Sequence, residues 1–322
     1  MSDVTVIIPA RDRLWSLPKA VQSCRSSSIN VQIIVIDDGS DDGTAEWLQS
    51  QSDIVTLQGD GWGKPWAIYR AWPMVSGSYV RFLDSDDWLN PDANVVQFHL
   101  GKKTRADIVG SGHDEYQDET FVRPVPWSPS DDFIAEVLGE GHVAPYSSFL
   151  FRTEFVKDIP HRTHFPAADF ASRDDRCFLL EVALRNPRIA VSELNAFCHR
   201  MHNRARLQRH GGLRATGTHI QQLCIYRQIL RLLDRRGELS LRRKRAAIKT
   251  LWPLAHWIGY HDIEEAVALA NWIHELDPEF RPPDSGILGS MYRMLGFRQT
   301  EKILMLRRTM RGALGLKQGL WH

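Results

Sequence analysis

The densest group of reactive side chains in the sequence is the run Asp84-Ser85-Asp86-Asp87, which directly follows the apolar stretch 79–83. Carboxylates this close repel one another, and the repulsion destabilises a folded chain unless a cation neutralises it. Mg²⁺ and Mn²⁺ suit that role because they prefer oxygen ligands and combine one or two carboxylates with substrate phosphates. The run therefore predicts a metal-assisted site for a phosphorylated substrate. The alternative is a solvated acidic turn that caps the helix expected after Pro91.

A second acidic turn, Asp37-Asp38-Gly39-Ser40, follows another apolar stretch. Throughout the first third of the chain, short β-branched runs alternate with helical stretches. Such a βαβα rhythm predicts a mostly parallel sheet with helices on its faces. The expected strands and helices are, in chain order, 4–8, 14–24, 31–36, 44–48, 54–57, 65–75 and 79–83. Because ligands bind at the carboxyl edge of such sheets, both acidic turns are expected to line one site.

The residue pattern changes twice in the remaining two thirds of the chain. Prolines divide residues 106–210 into short pieces, which we interpret as loops and strands that complete the site. After this stretch, apolar residues recur at helical spacing. We therefore expect an α/β domain over residues 1–212, with halves 1–105 and 106–212, and an all-α region over 213–322.

Composition excludes several classes of protein. The chain has 322 residues, with 40 Lys and Arg against 39 Asp and Glu, so no general positive charge favours a nucleic-acid partner. No apolar run reaches the length of about 18 residues that spans a bilayer, and the N-terminus is charged too early for a signal peptide. The four cysteines form no CxxC pair and are expected to be reduced thiols. These features predict a cytoplasmic protein.

Three motifs occur in the order and spacing of the family 2 glycosyltransferases, which have the GT-A fold. The run Val6-Ile7-Ile8-Pro9-Ala10 resembles the family's first strand and the turn that contacts the nucleotide. The run 35–40 resembles its base- and ribose-binding turn, and 77–87 resembles the strand that leads into its metal turn. The resemblance extends over about residues 4–205 and is to bacterial polysaccharide and lipopolysaccharide transferases. It implies a Rossmann-like GT-A domain followed by an α-helical extension.

The resemblance implies an inverting enzyme that moves a sugar from a nucleotide-diphospho-sugar, with a UDP-sugar favoured, to an acceptor hydroxyl in cell-surface glycan synthesis. Asp86 would ligate Mn²⁺ or Mg²⁺, Asp84 would contact the ribose or a metal-bound water, and Asp38 would accept a hydrogen bond from the base. The sequence departs from the family at Arg11-Asp12 and at Ile68-Tyr69, which leaves donor recognition open. The residues expected to bind the donor are Pro9, Ala10, Arg11, Asp12, Asp38, Gly39, Lys64, Asp84 and Ser85.

A fourth match, Arg173-Asp174-Asp175-Arg176, resembles the acidic pair that opens a helix and supplies the family's catalytic base. A hydroxyl is a poor nucleophile at neutral pH, so a carboxylate must take its proton as the new bond forms. The resemblance gives this catalytic role to Asp175, with Asp174 beside it. A helix cap is the alternative, because aspartate is favoured at helix N-termini.

The segment 197–204 resembles the family's Arg-x-x-His stretch near the end of the catalytic fold. It implies His202 as a further metal ligand, and Arg200 or Arg204 as the cation that neutralises the leaving diphosphate. A zinc site at His199 and His202 is the alternative, but no second pair of ligands at matching spacing accompanies it.

Other functions fit parts of the pattern. A sugar-nucleotide nucleotidyltransferase also uses metal carboxylates on a nucleotide fold, but the glycine-rich basic loop for a triphosphate is missing after Ile8. Residues 38–43 mimic the start of an EF-hand calcium loop, yet its last position holds Gln49 rather than a bidentate glutamate. A non-catalytic interaction or metal-binding protein with the GT-A fold also stays open.

Residues 298–322 combine many basic residues with a single acid and interleave them with leucine and isoleucine. A basic amphipathic helix can lie on anionic lipid, so this segment is a candidate peripheral membrane contact. The same pattern also suits a helix packed on its own domain. A glycan or lipid-linked acceptor at the inner face of the cell membrane would fit the first interpretation.

Overall fold

The computed structural model describes part of the chain, namely residues 2–26, 28–159, 161, 174–204 and 213–313. The chain divides into two compact units. Unit 1 consists of Met1–Val137 and Gly141–Arg209, and unit 2 consists of Leu138–Glu140 and His210–His322. Unit 1 contains the strands, whereas the described part of unit 2 is almost entirely helical.

Unit 1 contains two β-sheets. Its strands are, within the described ranges, β1 (Val4–Ala10), β2 (Val31–Asp37), β3 (Val55–Gln58), β4 (Tyr79–Phe82), β5 (Trp88–Leu89), β6 (Ile108–Gly110), β7 (His113–Gln117), β8 (Thr120–Val125), β9 (Leu150–Arg152), β10 (Ile189–Val191) and β11 (Phe197–Met201). The larger sheet has the order β10-β6-β9-β4-β1-β2-β3 and the smaller one the order β5-β11-β7-β8. In the larger sheet only β9 is antiparallel to its neighbours, as far as the described residues go. The predicted mostly parallel α/β sheet is confirmed.

Helices connect these strands. Those of unit 1 are, where the structure describes it, α1 (Leu17–Cys24), α2 (Thr44–Gln49), α3 (Lys64–Ala71), α4 (Ala93–Thr104), α5 (Phe133–Ala135), α6 (Thr153–Val156) and α7 (Asp174–Leu184). The helix expected over 65–75 ends early, and a 3₁₀ turn, Trp72–Met74, follows α3. The change occurs because Pro73 has no N–H to donate to the carbonyl of Tyr69, which an α-helix would require.

Strands β1 and β2 are interior strands of the larger sheet, each paired on both sides. Their β-branched side chains are almost all buried, as expected where helices cover both faces of a sheet. The register pairs Ala10 with Asp37 and Ile7 with Phe82. The carboxyl ends of β1, β2 and β4 therefore meet at one edge of the sheet, and both acidic turns begin there.

The smaller sheet joins distant parts of the chain. Strand β5 directly follows the acidic turn 84–87 and pairs antiparallel with β11, with Cys198 opposite Trp88. Strand β11 also pairs in parallel with β7. This pairing brings the histidine-containing segment 197–202 beside the acidic turn.

Arg81 anchors the strand that leads into the acidic turn. Its side chain is fully buried, and its guanidinium donates to Asn94 Oδ1 at 3.0 Å, to the Ser147 carbonyl at 2.7 Å and to Gln97 Oε1. Burial lowers the pKa of Arg81 to about 10. These bonds attach β4 to α4 and to the 3₁₀ turn Tyr146–Ser148.

The described helices of unit 2 are α8 (Leu213–Arg235), α9 (Leu241–Gly259), α10 (Ile263–Leu276) and α11 (Gly286–Ala313). The segment 138–140 belongs to this unit because the Leu138 carbonyl accepts hydrogen bonds from the Tyr226 hydroxyl at 2.8 Å and from Thr250 Oγ1 at 3.1 Å. The predicted C-terminal helical region is confirmed, whereas the domain boundaries at residues 105 and 212 stay predictions. In the described part of the chain, every helix is too short or too polar to span a bilayer.

Candidate active site at the carboxyl edge of the larger sheet

The turns after β1 and β2 are joined by hydrogen bonds. The N–H of Asp12 donates to Ser40 Oγ at 2.9 Å, and the N–H of Asp41 donates to Asp12 Oδ1 at 2.9 Å. Asp12 adopts the left-handed region with φ 51°, which aspartate tolerates better than most residues. The N–H of Asp38 donates to the Ala10 carbonyl at 2.8 Å. Pro9, Ala10, Arg11 and Asp12 therefore form one wall with the 37–40 turn.

Asp38 organises the loop that follows β3. Its buried carboxylate accepts N–H bonds from Gly61 at 2.9 Å and from Gly63 at 2.7 Å. A Cβ on Gly59 would lie 2.4 Å from Asp38 Oδ1, so this approach requires glycine. Asp38 thus has a structural role in holding this loop, beside any contact with a base through its remaining lone pairs.

The same loop leads into α3 and presents Lys64. Lys64 Nζ lies 2.7 Å from Asp84 Oδ1 and 5.2 Å from the centre of the Tyr146 ring. Asp84 stands two residues after the end of β4, with a partly exposed carboxylate. Lys64 and Asp84, both expected to bind the donor, therefore form an ion pair at the carboxyl edge. Gly39, with φ 84°, closes the neighbouring turn.

Asp86 contacts His202, which is 116 residues away in sequence. Asp86 Oδ2 and His202 Nε2 are 3.0 Å apart, and the His202 ring is packed edge-on against Trp15 with ring centres 4.9 Å apart. Burial raises the pKa of Asp86, but its hydrogen bond to His202 and the charge of Arg13 outweigh burial and leave the pKa below its usual value. The two residues expected to hold a metal thus lie side by side.

The proton positions on His202 bear on how a metal would be held. Nδ1 of His202 accepts the N–H of Arg204 at 3.1 Å, so a neutral ring carries its proton on Nε2 and donates it to Asp86. In this arrangement the hydrogen bond from His202 orients the Asp86 carboxylate. Hydrogen-bond partners of metal ligands commonly have this role. Ligation through Nε2 would require that proton to leave.

The donor set fits a divalent cation that also binds a diphosphate. Among the described residues, no three His, Cys, Asp or Glu side chains are grouped so as to hold a metal by themselves. A cation shared with substrate phosphates needs only one or two protein carboxylates, and Asp86 provides one. Asp86, with His202 as its neighbour or as a second ligand, is therefore the candidate metal position.

Asp87 joins the acidic turn to the smaller sheet. Its buried Oδ1 accepts the N–H of Arg200 at 2.8 Å, and its Oδ2 lies 3.4 Å from His199 Nδ1. Burial raises the pKa of Asp87 to about 6, although His199 opposes this change. Ser85 is attached as well, because the Ser16 hydroxyl donates to its carbonyl at 2.8 Å. These contacts fix the backbone of the turn around Asp86.

The two arginines proposed for the leaving diphosphate have different surroundings. The Arg200 guanidinium is buried 4.8 Å from the centre of the Trp88 ring and lies 2.6 Å from a carboxylate oxygen of Glu119. Arg204 is exposed, and its guanidinium lies 4.6 Å from the centre of the Trp15 ring. Arg204 is therefore the better placed of the two to reach a phosphate.

Asp174 and Asp175 stand in the first turn of α7. Asp175 Oδ1 accepts the N–H of Arg176 at 2.7 Å. One turn later, the Phe178 ring contacts the Phe82 ring, the last residue of β4, with ring centres 5.4 Å apart. The N-terminal turn of α7 is thus attached to the same strand that leads into the acidic turn.

Some residues of this site carry no signal in the sequence. Trp15 packs on His202 and Arg204, Tyr146 lies under Lys64, and Arg13 lowers the pKa of Asp86. Only the position of Arg13 and Trp15 directly after the first turn could have indicated a role for them. The 3₁₀ turn of Tyr146 lies in the proline-rich stretch, where no periodicity marks it.

His113 in β7 gives a prediction about pH. Burial, reinforced by the charge of His199, lowers the pKa of His113 to about 4. Below about pH 6.5 the unfolded chain takes up a proton that the folded chain does not, so stability falls as pH falls toward 4. We expect His113→Gln to reduce the loss of unfolding free energy between about pH 7.5 and pH 5 by about 2 kcal/mol.

This prediction is measured by urea unfolding of both proteins at the two pH values. His99→Gln, which alters an exposed histidine on α4, is the matched control and should leave the pH dependence unchanged. If the free energy of unfolding falls by the same amount between the two pH values in His113→Gln and in the unaltered protein, His113 is protonated in the folded chain at the lower pH.

Comparison with known proteins supplies the family. The sequence model of glycosyl transferase family 2 matches residues 5–173. The chain is 30% identical over 128 residues to the undecaprenyl-phosphate 4-deoxy-4-formamido-L-arabinose transferase of Salmonella choleraesuis (strain SC-B67), covering 37% of this chain and 39% of that protein. It is 31% identical over 114 residues to glycosyltransferase GlyA of Streptococcus pneumoniae serotype 4 (strain ATCC BAA-334 / TIGR4), covering 33% of this chain and 16% of that protein. The chain thus spans less than half the length of these curated relatives.

A solved structure supplies the fold. The crystal structure of S. aureus TarS 1–349 in complex with UDP-GlcNAc aligns with a TM-score of 0.60 at 15% identity, covering 98% of this chain and 93% of that chain. The structure of TarS 1–349 without a named ligand aligns with a TM-score of 0.58 at 16% identity, covering 94% and 91%. Since the family match includes more than half of the residues, the chain belongs to glycosyl transferase family 2, and its fold is a GT-A domain with a C-terminal helical region.

Proposed function

We propose that this chain is a metal-dependent inverting glycosyltransferase that moves a sugar from a nucleotide-diphospho-sugar, with a UDP-sugar favoured, to an acceptor hydroxyl. The observation that carries the proposal is the contact between Asp86 and His202 beside the Lys64–Asp84 pair, at the edge where the nucleotide-binding turns end. A carboxylate paired with a histidine and flanked by a lysine suits a diphosphate together with its cation.

The proposed chemistry is a single displacement. The Asp175 carboxylate accepts the proton of the acceptor hydroxyl while the hydroxyl oxygen attacks the anomeric carbon. The bond between the anomeric carbon and the phosphate oxygen breaks on the opposite face, so the configuration inverts and a nucleoside diphosphate leaves. Attachment of α7 to β4 through Phe178 and Phe82 supports this role, because it holds the first turn of α7 near the acidic turn.

Other residues bind and orient the donor. Lys64 and Arg204 donate hydrogen bonds to the diphosphate oxygens. The turn of Pro9, Ala10, Arg11 and Asp12 encloses the nucleoside together with Asp38. Mn²⁺ or Mg²⁺, when bound at Asp86, supplies positive charge that stabilises the leaving diphosphate. His202 keeps the Asp86 carboxylate in place through its hydrogen bond.

The acceptor is proposed to be a glycan or a lipid-linked molecule of the cell surface, reached from the cytoplasmic face of the membrane. Support comes from the relatives, one of which is named as an undecaprenyl-phosphate sugar transferase. Residues 298–322 remain a proposed membrane contact, although 314–322 lie outside the described residues.

A donor panel tests the proposed function. The purified chain is incubated with UDP-, GDP- and dTDP-sugars in the presence of Mn²⁺, Mg²⁺ or a chelator, and melting temperature and nucleoside diphosphate release are measured. We expect donors of one nucleotide class to raise the melting temperature and to be hydrolysed slowly, with release of the nucleoside diphosphate. Both effects should occur only when the cation is present. Absence of both effects for every donor would contradict the proposal.

The same assay separates the alternatives. A nucleotidyltransferase would instead release pyrophosphate from a nucleoside triphosphate and a sugar phosphate. A calcium-loop protein would be stabilised by Ca²⁺ without any nucleotide. The calcium alternative has little support, because strand β2 rather than a helix precedes the 38–43 turn and Asp42 accepts hydrogen bonds from Leu14 and Thr44.

A further inference from the structure

The first segment of α11 exposes a stripe of apolar side chains. Ile287 and Met294 are each 83% exposed and Leu295 is 45% exposed, while Met291 between them is partly buried. Positions 287, 291, 294 and 295 follow the spacing that places residues on one face of a helix. This face borders a groove of about 610 Å³ that is also lined by Arg293.

The opposite face of the same segment is packed against the rest of unit 2, where the Tyr292 ring lies 5.4 Å from the Trp252 ring of α9. Tyr292 is buried, and its hydroxyl donates to Glu301 Oε1 at 2.6 Å. Its ring stacks on Phe297 with ring centres 5.9 Å apart. The helix is therefore apolar on two sides, one side attached to its own unit and the other open to solvent. Gly296, with φ 74°, interrupts the helix directly after the stripe.

The charges on the same helix are almost all positive. Between residues 286 and 307 the sequence has one acidic residue, Glu301, whose side chain is 1% exposed. Arg293 borders the groove itself, and Lys302 and Arg307 are exposed farther along the same helix, after the break at Gly296. An apolar face on a helix whose exposed charges, within residues 286–307, are all positive is complementary to a lipid leaflet with an apolar interior and negative headgroups.

We propose that the stripe of Ile287, Met291, Met294 and Leu295 inserts into the headgroup region of a membrane leaflet that contains anionic lipid. A second copy of the chain is a poorer occupant, because a two-fold contact through this face would bring each Arg293 toward like charges on its partner. The stripe precedes residues 298–322, so it is a membrane contact separate from the one predicted from the sequence.

Vesicle binding by the full chain tests the proposal without any donor or acceptor. Protein is sedimented with phosphatidylcholine vesicles and with vesicles that contain about 30% phosphatidylglycerol. We expect binding to the anionic vesicles, weakened by high salt, and at least roughly a tenfold lower partition coefficient for Ile287→Ser/Met294→Ser. Because both side chains are highly exposed, the melting temperature of this variant should not change. Because the assay contains no donor or acceptor, vesicle binding is expected whether or not the chain transfers a sugar.

Two further variants identify the contact. Ile303→Ser/Leu306→Ser removes apolar residues of the second part of α11 that are 44% and 65% exposed, and should reduce binding less. Leu241→Ser, an exposed apolar residue at the start of α9, should bind like the unaltered protein. The proposal is overturned if Ile287→Ser/Met294→Ser binds normally, or if only Ile303→Ser/Leu306→Ser loses binding. It is overturned as well if the unaltered chain ignores anionic vesicles, or if light scattering shows a dimer that Ile287→Ser/Met294→Ser dissociates.

Discussion

Replacing Asp86 by asparagine is expected to lower metal-supported sugar transfer by about 10³-fold or more while the protein stays folded. The amide oxygen of asparagine can still accept the hydrogen bond from His202, so the geometry of the turn is kept. The substitution removes the negative charge that a divalent cation requires at this position. The measurement is turnover at saturating donor over a series of Mn²⁺ concentrations, with the melting temperature as a check on folding.

Two variants accompany this experiment. Asp92→Asn removes an exposed carboxylate at the start of α4, where φ is 62° and asparagine is tolerated, and it should leave turnover unchanged. His202→Gln should lower the affinity for Mn²⁺ by about 10- to 100-fold, so that added Mn²⁺ restores part of the activity. If Asp86→Asn keeps more than roughly a tenth of the turnover, the cation is held by other groups.

The first half of the fold was predictable because local patterns determine it. The largely apolar runs before Asp37 and Asp84 are long enough to identify buried strands, and parallel pairing then brings their carboxyl ends to one edge. The resemblance to family 2 glycosyltransferases rests on the same runs, and it is confirmed by the family match over residues 5–173.

Other parts of the fold depend on pairings that no local pattern encodes. Strand β9 has three residues and β5 has two, so neither presents a periodicity that could identify it. The antiparallel insertion of β9 between β4 and β6 therefore appears only in the structure. Arg81 is a charged residue in a fully buried strand, and its bonds to Asn94, Gln97 and the Ser147 carbonyl explain how it is accommodated there.

In the candidate site, too, some residues were predictable from local patterns and others were not. The acidic turns could be identified from composition and position, whereas the contact between Asp86 and His202 depended on the resemblance, because 116 residues separate the two. For Trp15 only its position after the first turn could have indicated a role, and an aromatic residue beside a helix start is usually core. Its role follows from β11, which brings His202 and Arg204 against its ring.

Asp175→Asn is expected to lower the turnover number for sugar transfer by about 10²- to 10⁴-fold, while donor binding stays unchanged. Asparagine has nearly the same shape and can still accept the N–H of Arg176, so α7 should begin normally. It cannot take a proton from the acceptor hydroxyl as the oxygen attacks. Turnover and the Michaelis constant for the donor are measured separately, because loss of a base changes the first and not the second.

The control variants distinguish a base from a helix cap. Glu181→Gln alters a carboxylate farther along the same helix and should leave turnover near normal. Asp174→Asn, next to the proposed base, should cost less than about tenfold; the reverse order of effects would transfer the role to Asp174. If Asp175→Asn instead leaves turnover intact, the carboxylate only caps the helix, a role that asparagine fills equally well. Because Asp86→Asn acts through the cation and Asp175→Asn through the proton, only the first should change the dependence on Mn²⁺.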